Sequence, residues 1–277
     1  MSQRFVQAAS KTIFITGSSS GIGAATVRLF KQKGWNVIAT MRSPEKNKEF
    51  ANLDNVLVLK LDVTDTNSIA AAVAQALERF GVVDVLLNNA GYGMVGAFEA
   101  STETQVERQF GTNVFGLMNV TRCVLPSMRQ HGGGTIINVS SVGGQVTFPL
   151  YSVYHATKFA VEGFSESLQY ELNDFNIRVK LVEPGPIRTD FYDRSQDLTV
   201  KEGLTAYDNF IGRVMPSMQH SGRTSPGPEL VAKTIFKAAC DKSRRLRYPV
   251  NSASLLALRK LIPDVLAFSI VKMRLIK

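Results

Sequence analysis

The sequence predicts an α/β protein built on a doubly wound parallel sheet, and three observations carry that prediction. Short apolar runs rich in β-formers alternate with helical patterns along the chain. The first of these runs leads through a glycine-rich turn into a helix. The polar and glycine motifs fall where strands end, which is where open parallel sheets bind ligands. With 277 residues, 44% of them hydrophobic, the chain can bury a sizeable core. It reads as one domain over residues 1–277, without internal repeats or low-complexity segments.

The elements follow in order. Thr12 to Thr16 is a strand-like run, followed by Gly17-Ser18-Ser19-Ser20-Gly21-Ile22-Gly23 and a helical pattern through Ala24, Val27, Leu29 and Phe30. In such a turn Gly17 permits the tight bend, Gly21 lets backbone approach a pyrophosphate, and Gly23 lets helix pack closely on strand. The helix N-terminus adds amide donors for an anion. The spacing is Gly-x-x-x-Gly-x-Gly, and a strand-to-helix turn can need glycine for backbone reasons alone. Further strands are expected at Asn36 to Thr40, Val56 to Lys60, Val83 to Asn88, Thr135 to Ser140 and Ile177 to Glu183, with a shorter one at Leu246 to Val250. Their continuous apolarity suits strands covered on both faces, and right-handed crossovers then give a Rossmann-type sheet.

The most telling spacing lies past the middle of the chain. Tyr154 comes thirteen residues after Ser141, and Lys158 four residues after Tyr154. Positions i and i+4 share a helix face, so an ammonium can sit beside a phenol. A free tyrosine titrates near ~10, and a neighbouring cation favours its phenolate, which suits proton exchange with a substrate. Taken alone, the pair reads first as a surface Tyr and Lys one turn apart. The dinucleotide-type opening at the start of the chain gives it chemical meaning.

Seven motifs in order resemble those of the single-domain short-chain dehydrogenases/reductases, over about Lys11 to Lys242. They are Thr16 to Gly23, Leu61-Asp62-Val63-Thr64, Asn88-Asn89-Ala90-Gly91, Asn113, Asn138-Val139-Ser140-Ser141, Tyr154-x-x-x-Lys158 and Pro184-Gly185-Pro186-Ile187-Arg188-Thr189. The stretch from Ser141 to Leu168 further resembles the branch containing 17β-hydroxysteroid and retinol dehydrogenases. The resemblance implies a core over residues 11–190 that binds cofactor and performs catalysis. Its glycine turn would hold pyrophosphate through Gly17, Ser18, Ser20, Gly21, Ile22 and Gly23. Asp62 and Val63 would meet the adenine, although Asp62 could equally close a turn. Asn89, Ala90 and Gly91 would line the adenosine ribose side. Pro184, Gly185, Ile187 and Thr189 would hold the nicotinamide end, with a helix start as the alternative for Thr189. In catalysis Tyr154 would move the proton. Lys158 would tune Tyr154 and bond the nicotinamide ribose, and Ser141 would hydrogen-bond the substrate oxygen. Asn113 would position a water behind Lys158, with helix packing as its alternative.

The second strand addresses cofactor choice. An NAD site usually places a carboxylate about 20 residues past the glycine turn, whereas an NADP site offers a cation. Here Met41 stands eighteen residues after Gly23, with Arg42 next. A guanidinium grips a phosphate through paired hydrogen bonds. NADP(H) is therefore expected ahead of NAD(H), even though position 20 is Ser rather than a second basic residue; a solvated Arg42 is the alternative.

The segment 191–227 is expected to fold over the site as a lid, because it is long and follows the last cofactor motif. Phe191, Tyr192, Leu198, Leu204, Tyr207, Phe210, Ile211, Met215 and Met218 suggest an apolar pocket wall, and packing of the lid against the core explains any one of them equally well. Val146 and Phe148 are further substrate contacts, beside Ser141, Tyr154 and Phe191. A small lipophilic alcohol, ketone or aldehyde fits best. A fatty-acyl or small-carbonyl reductase and a non-catalytic dinucleotide sensor are the alternatives.

Charge is concentrated at one end. Nine basic residues against Asp241 and Asp264 put +7 of the net +9 between Cys240 and Lys277. The apolar and basic tail, residues 252–277, reads as packing on the subunit or an oligomer interface, or as peripheral contact with an anionic membrane. No basic or aromatic stripe suits nucleic acid. The resemblance also implies a homo-oligomer, dimer or tetramer, through the helix after Tyr154, whose stripe is Ala156, Ala160, Phe164, Leu168 and Leu172; an intrasubunit core face explains that stripe as well. Cys123 and Cys240 lack metal-ligand spacing and read as buried reduced thiols. The first ten residues lack a signal-peptide core, so a cytoplasmic location is expected.

Overall fold

Strands buried on both faces need side chains that are apolar without alternation, and the central sheet shows this throughout. The computed structural model describes residues 10–189, 191 and 196–276. Seven strands lie parallel: β1 (Thr12–Ile15), β2 (Asn36–Met41), β3 (Val56–Lys60), β4 (Val85–Asn88), β6 (Gly134–Val139), β7 (Ile177–Pro184) and β9 (Arg247–Val250), in the order β3-β2-β1-β4-β6-β7-β9. The register is regular: Phe14 in β1 pairs with Ile38 on one side and Leu86 on the other. The six longer strand readings hold within two residues at each end. The fourth starts at Val85, because the Asp84 carboxylate takes the backbone N–H of Thr12 at 2.7 Å.

Helices cover both faces. On one, α1 (Gly21–Gln32) and α7 (Glu229–Cys240) bury Val27, Phe30, Val231 and Ile235 against Ile13, Ile15 and Val37. On the other, α2 (Thr66–Phe80), α4 (Leu117–Gln130) and α5 (Ser152–Glu171) bury Ile69, Val73, Val120, Val124 and Leu168 against Phe14, Leu86 and Ile136. Local chemistry fixes the helix ends. Asp65 caps α2 by accepting from the amides of Asn67 and Ser68, and α3 (Glu103–Phe110) opens with a reciprocal Thr102/Gln105 capping box. No side chain caps the start of α1, so its first amides stay available to an anion. The chain leaves β1 toward β2 on one side and lies beside β4 on the other. That reversal of strand order opens a crevice at the carboxyl ends.

Two features escaped the sequence pattern. A π-helical turn, Gly111–Gly116, joins α3 to α4. A separate two-stranded parallel sheet pairs β5 (Gly93–Val95) with β8 (Gln196–Leu198). Its three-residue strands are too short to show a period.

Candidate active site

The glycine turn is held by backbone packed against backbone. A Cβ on Gly23 would stand 2.2 Å from the Gly17 carbonyl oxygen and 2.8 Å from Asn89 Nδ2. Gly17 itself has a φ of +69°, where side chains are strained. Asn89 Nδ2 donates to the carbonyls of Thr16 and Gly17, each at 2.9 Å. Thr16 Oγ1 accepts from the amides of Asn89 and Ala90, each at 3.0 Å. The Asn89–Ala90 segment thus braces the turn from β4 while lining the crevice. Ser18 does not face the crevice, contrary to expectation. It is fully buried and its hydroxyl donates to the Ile15 carbonyl at 3.1 Å, because the turn needs a fastener there; Ser19 lines the wall instead.

The crevice has a volume of about 850 Å³ and runs from Ser20, Arg42 and Asp62 past Gly91 and Ile187 to Tyr154 and Phe191. Asp62 also closes a turn, accepting from the amide and hydroxyl of Thr64 at 2.9 and 2.7 Å, so both readings of this residue are compatible with its position. Val63, Pro184, Gly185 and Ile22 lie on the same walls. Thr189 Oγ1 accepts from the Phe191 amide at 3.2 Å. The uncapped helix start, the turn that a Cβ would block and the elongated cavity together fit a dinucleotide.

At the far end, Ser141, Tyr154 and Lys158 share one wall. The ammonium of Lys158 lies 5.7 Å from the centre of the Tyr154 ring and donates to the Val139 carbonyl at 2.9 Å. Burial pushes the Lys158 pKa down to about 8, and the Glu162 charge opposes that shift. Ser141 Oγ accepts from the Gly143 amide at 3.0 Å and so caps the tight turn Val142–Gly144. Asn113 sits in the π turn behind this wall. Its Nδ2 donates to the Tyr92 carbonyl at 3.0 Å and to Thr157 Oγ1 at 3.2 Å, while its Oδ1 accepts from the Tyr92 amide at 3.1 Å. A π turn at such a position is a common functional device.

His155 was missed, although it follows Tyr154 directly. Its Nε2 accepts from the Phe148 amide and its Nδ1 donates to the Gly143 carbonyl, both at 2.9 Å. Burial lowers its pKa to about 4, so at neutral pH it is an uncharged clamp fixing the Ser141 segment to α5. Leu150, just before Tyr151, lies in the left-handed region at φ 66°, and its carbonyl accepts from the Gly96 amide. Such a conformation costs roughly 1–2 kcal/mol and is held by its surroundings.

The substrate end corrects several expectations. Phe148 and Phe191 line the crevice, but Val146 packs with Val142 and Leu256 in a small core and does not reach it. The lid segment forms α6 (Asp208–Thr224), which packs Phe210, Ile211, Met215 and Met218 around Leu150, Tyr151 and Tyr154. Leu198 is exposed and Tyr207 turns away to bond Glu99 at 2.9 Å; Tyr192 lies outside the described residues. Met218 lines the wall as expected, and Tyr151 and Gln196 join it, their signal in sequence being only polarity or size. The tail forms α8 (Ala253–Leu261) and α9 (Asp264–Leu275); Leu275 reaches the crevice and Ile276 packs in the lid cluster. Leu261, Val265, Phe268 and Met273 remain exposed. Among the described residues, no helix is long and apolar enough to cross a membrane. The α5 stripe divides: Leu168 and Leu172 are core, whereas Ala156 is exposed. Cys123 is half-buried and Cys240 is exposed, so the expectation of two buried thiols fails at the end of α7, where Cys240 turns outward.

A doubly wound parallel sheet with a glycine turn, and a Ser/Tyr/Lys wall at its carboxyl edge, define a dinucleotide-dependent oxidoreductase type of site. The chain belongs to the short chain dehydrogenase family, whose model matches residues 11–198. It is 38% identical over 239 residues to the 3-ketodihydrosphingosine reductase of Bacteroides thetaiotaomicron, covering 86% of this chain and 87% of that one. Among solved structures, a short-chain dehydrogenase from Streptomyces avermitilis is 35% identical, with a TM-score of 0.82 and coverage of 95% and 97%. A family member from Burkholderia phymatum, solved with NAD, is 26% identical, with a TM-score of 0.79 and coverage of 91% and 92%.

Proposed function

We propose that this oxidoreductase interconverts a lipophilic secondary alcohol and its ketone, with NADP(H) preferred over NAD(H). The observation that carries the reading is the Ser141/Tyr154/Lys158 wall where the crevice passes from polar lining to Phe148, Phe191, Met218 and Leu275. A bound nicotinamide dinucleotide supplies hydride to the carbonyl carbon or accepts it from the carbinol. In reduction, Tyr154 gives its hydroxyl proton to the carbonyl oxygen as negative charge develops there; in oxidation, its phenolate takes the hydroxyl proton. Lys158, a cation below its lowered pKa, favours the phenolate form of Tyr154. Ser141 hydrogen-bonds the reacting oxygen and holds it toward Tyr154. Arg42, on the crevice rim just past β2, where the strand ends in Met41 and not in a carboxylate, supports a 2′-phosphate. The Bacteroides relative's name supports a 3-ketone on a long chain. The motif likeness to 17β-hydroxysteroid dehydrogenases supports a ring ketone. The exposed apolar and basic side chains of α8 and α9, beside the crevice mouth, support docking of this end on an anionic lipid surface.

The test is reduced-cofactor oxidation at 340 nm over long-chain, steroidal, retinoid and small carbonyls, with NADPH and NADH in parallel. Turnover is expected with a lipophilic ketone. Tyr154→Phe should lower kcat by roughly a thousandfold while cofactor binding persists. Turnover that survives Tyr154→Phe would overturn the assignment.

A further inference from the structure

Helix α5 does not end its chemistry at Lys158. One turn further on stands Glu162, 5% exposed, and across from it at the end of β7 stands Glu183, 1% exposed. Arg247, from β9, lies between them: its Nε is 3.2 Å from Glu162 Oε2 and 3.5 Å from Glu183 Oε1, and its Nη2 reaches Glu166 on the surface at 3.1 Å. Gln145, four residues past Ser141, donates to Glu183 Oε1. A Cβ on Gly144 would stand 2.8 Å from both Glu162 Cγ and Ser140 Oγ, so the Glu162 side chain fills the space behind the Ser141 segment. The Val139 carbonyl that holds the Lys158 ammonium is one residue before Ser140. One buried cluster therefore touches every segment that carries a reacting group: the Tyr154/Lys158 helix through Glu162, the Ser141 segment through Gln145, and the Pro184-Gly185 turn through Glu183.

The acid/base assignment of Tyr154 and Lys158 uses none of these carboxylates. Buried charges are costly unless paired, and here two buried carboxylates face one guanidinium. Glu183 Oε2 is buried with no hydrogen-bond partner. Burial pushes Glu183 up to about 7, with the Glu162 charge adding to the shift and Arg247 and Lys260 opposing it. Burial also pushes Glu162 up, against a hydrogen bond from Ser140 and the charges of Arg247 and Lys158. The groups facing the cluster are thus Lys158 on α5, Arg247 on β9, Lys260 on α8 and Glu166 at the rim, while the Tyr154 ring lies beside Lys158.

We propose that Glu162, Glu183 and Arg247 form a buried charge cluster that sets the charge state of Lys158, with Glu162 as the positioning residue and Glu183 as the holder of the cluster's proton. The proposal rests on the acid/base reading of Tyr154 and Lys158. Arg247 keeps Glu162 ionised, and ionised Glu162 favours the ammonium of Lys158. When Glu183 releases its proton, the negative charge added behind Lys158 sustains that ammonium toward alkaline pH.

The test titrates Lys158 in the cofactor-free protein by NMR of ε-carbon-labelled lysine, with Lys158→Met assigning the signal. The wild-type midpoint is expected near 8. Glu162→Gln should lower it by roughly one unit, and Glu162→Asp should restore part of the loss. The alkaline limb of kcat/KM should move with the midpoint, a shift that a loss of packing alone would not produce. An unmoved Lys158 midpoint in folded Glu162→Gln overturns the proposal. If that variant does not fold, Glu183→Gln decides through stability. The raised Glu183 pKa means that the folded state binds more protons, so wild-type stability falls as pH rises from about 4.5 through 7. Glu183→Gln should flatten that fall, and an unchanged profile counts against the cluster. The titration needs neither cofactor nor substrate. A failed activity panel with an intact Lys158 shift would therefore sink the lipophilic-ketone reading and leave the cluster standing.

Discussion

The two halves of the crevice are built from different materials. The cofactor half is built on main chain: Gly23 packs on the Gly17 carbonyl and Gly17 on the Ala90 backbone, and the Asn89 side-chain amide ties down the Thr16 and Gly17 carbonyls. The substrate half is side chain against side chain: Phe191 lies over Gly93, with its ring tip 2.6 Å from where a Cβ would be, and Met218 and Tyr151 close the wall. A backbone contact has nowhere to go, whereas an aromatic side chain can rotate at the cost of a rotamer change. The geometry that every substrate shares is thereby made rigid, and the geometry that discriminates among substrates is made of parts that can be exchanged.

Alanine at the two glycines is the sharpest way to break this comparison. Gly23→Ala must move main chain, so dinucleotide affinity should fall by about a hundredfold and stability by about 3 kcal/mol. Gly93→Ala should leave cofactor affinity unchanged, alter the preference among ketones by less than about tenfold, and cost under about 1 kcal/mol as Phe191 turns aside. Isothermal titration with the dinucleotide and thermal denaturation read both. Equal losses at the two positions would show that the halves do not differ in kind.

The same contrast explains what could be read from sequence. The cofactor half was legible because its signals are local: apolar strands need no alternation when covered twice, and Gly17 to Gly23 spells out a turn. Tyr154 and Lys158 are tied by the period of one helix. Strands β5 and β8 were invisible because three residues carry no period and their pairing spans about a hundred positions. Glu162, Glu183 and Arg247 meet only because the topology lays β7 and β9 side by side. Val146 failed for a related reason: its apolarity fits a substrate wall and a small core equally, and only packing against Leu256 decides between them. Ser18 shows that the residue beside a contact can be the fastener that makes the contact rigid.

Arg42 probes the rim of the cofactor half, where rigidity gives way to solvent. Its side chain is exposed, so the proposed grip on a 2′-phosphate would be screened and smaller than a buried pair would give. Arg42→Ala should raise KM for NADPH by roughly tenfold while leaving KM for NADH and kcat with either cofactor nearly unchanged. Steady-state kinetics with both cofactors measure this. A parallel rise for NADH would mean that Arg42 orders the adenosine end as a whole and does not select the phosphate.

The smallest effect is expected farthest from the rigid half, at the tail that closes the crevice mouth. Leu261, Val265, Phe268 and Met273 are exposed beside Lys260, Lys272 and Arg274, while Leu256 is buried and Leu275 reaches the crevice. Deleting the tail would therefore damage the pocket, and point variants are the better instrument. If this end rests on an anionic surface, the protein should sediment with phosphatidylserine-containing vesicles and not with neutral phosphatidylcholine, each basic residue near the surface adding about 1 kcal/mol. Added salt should release it, since those charges are screened over about 10 Å at 0.1 M. Phe268→Asp should weaken sedimentation several-fold, and its kcat on a soluble ketone should stay unchanged because Phe268 points away from the crevice wall. No sedimentation with either vesicle, together with a shift from oligomer to smaller mass in Phe268→Asp, would assign the exposed face to a second copy of the chain. The tail would then belong to assembly, and the substrate would enter from water.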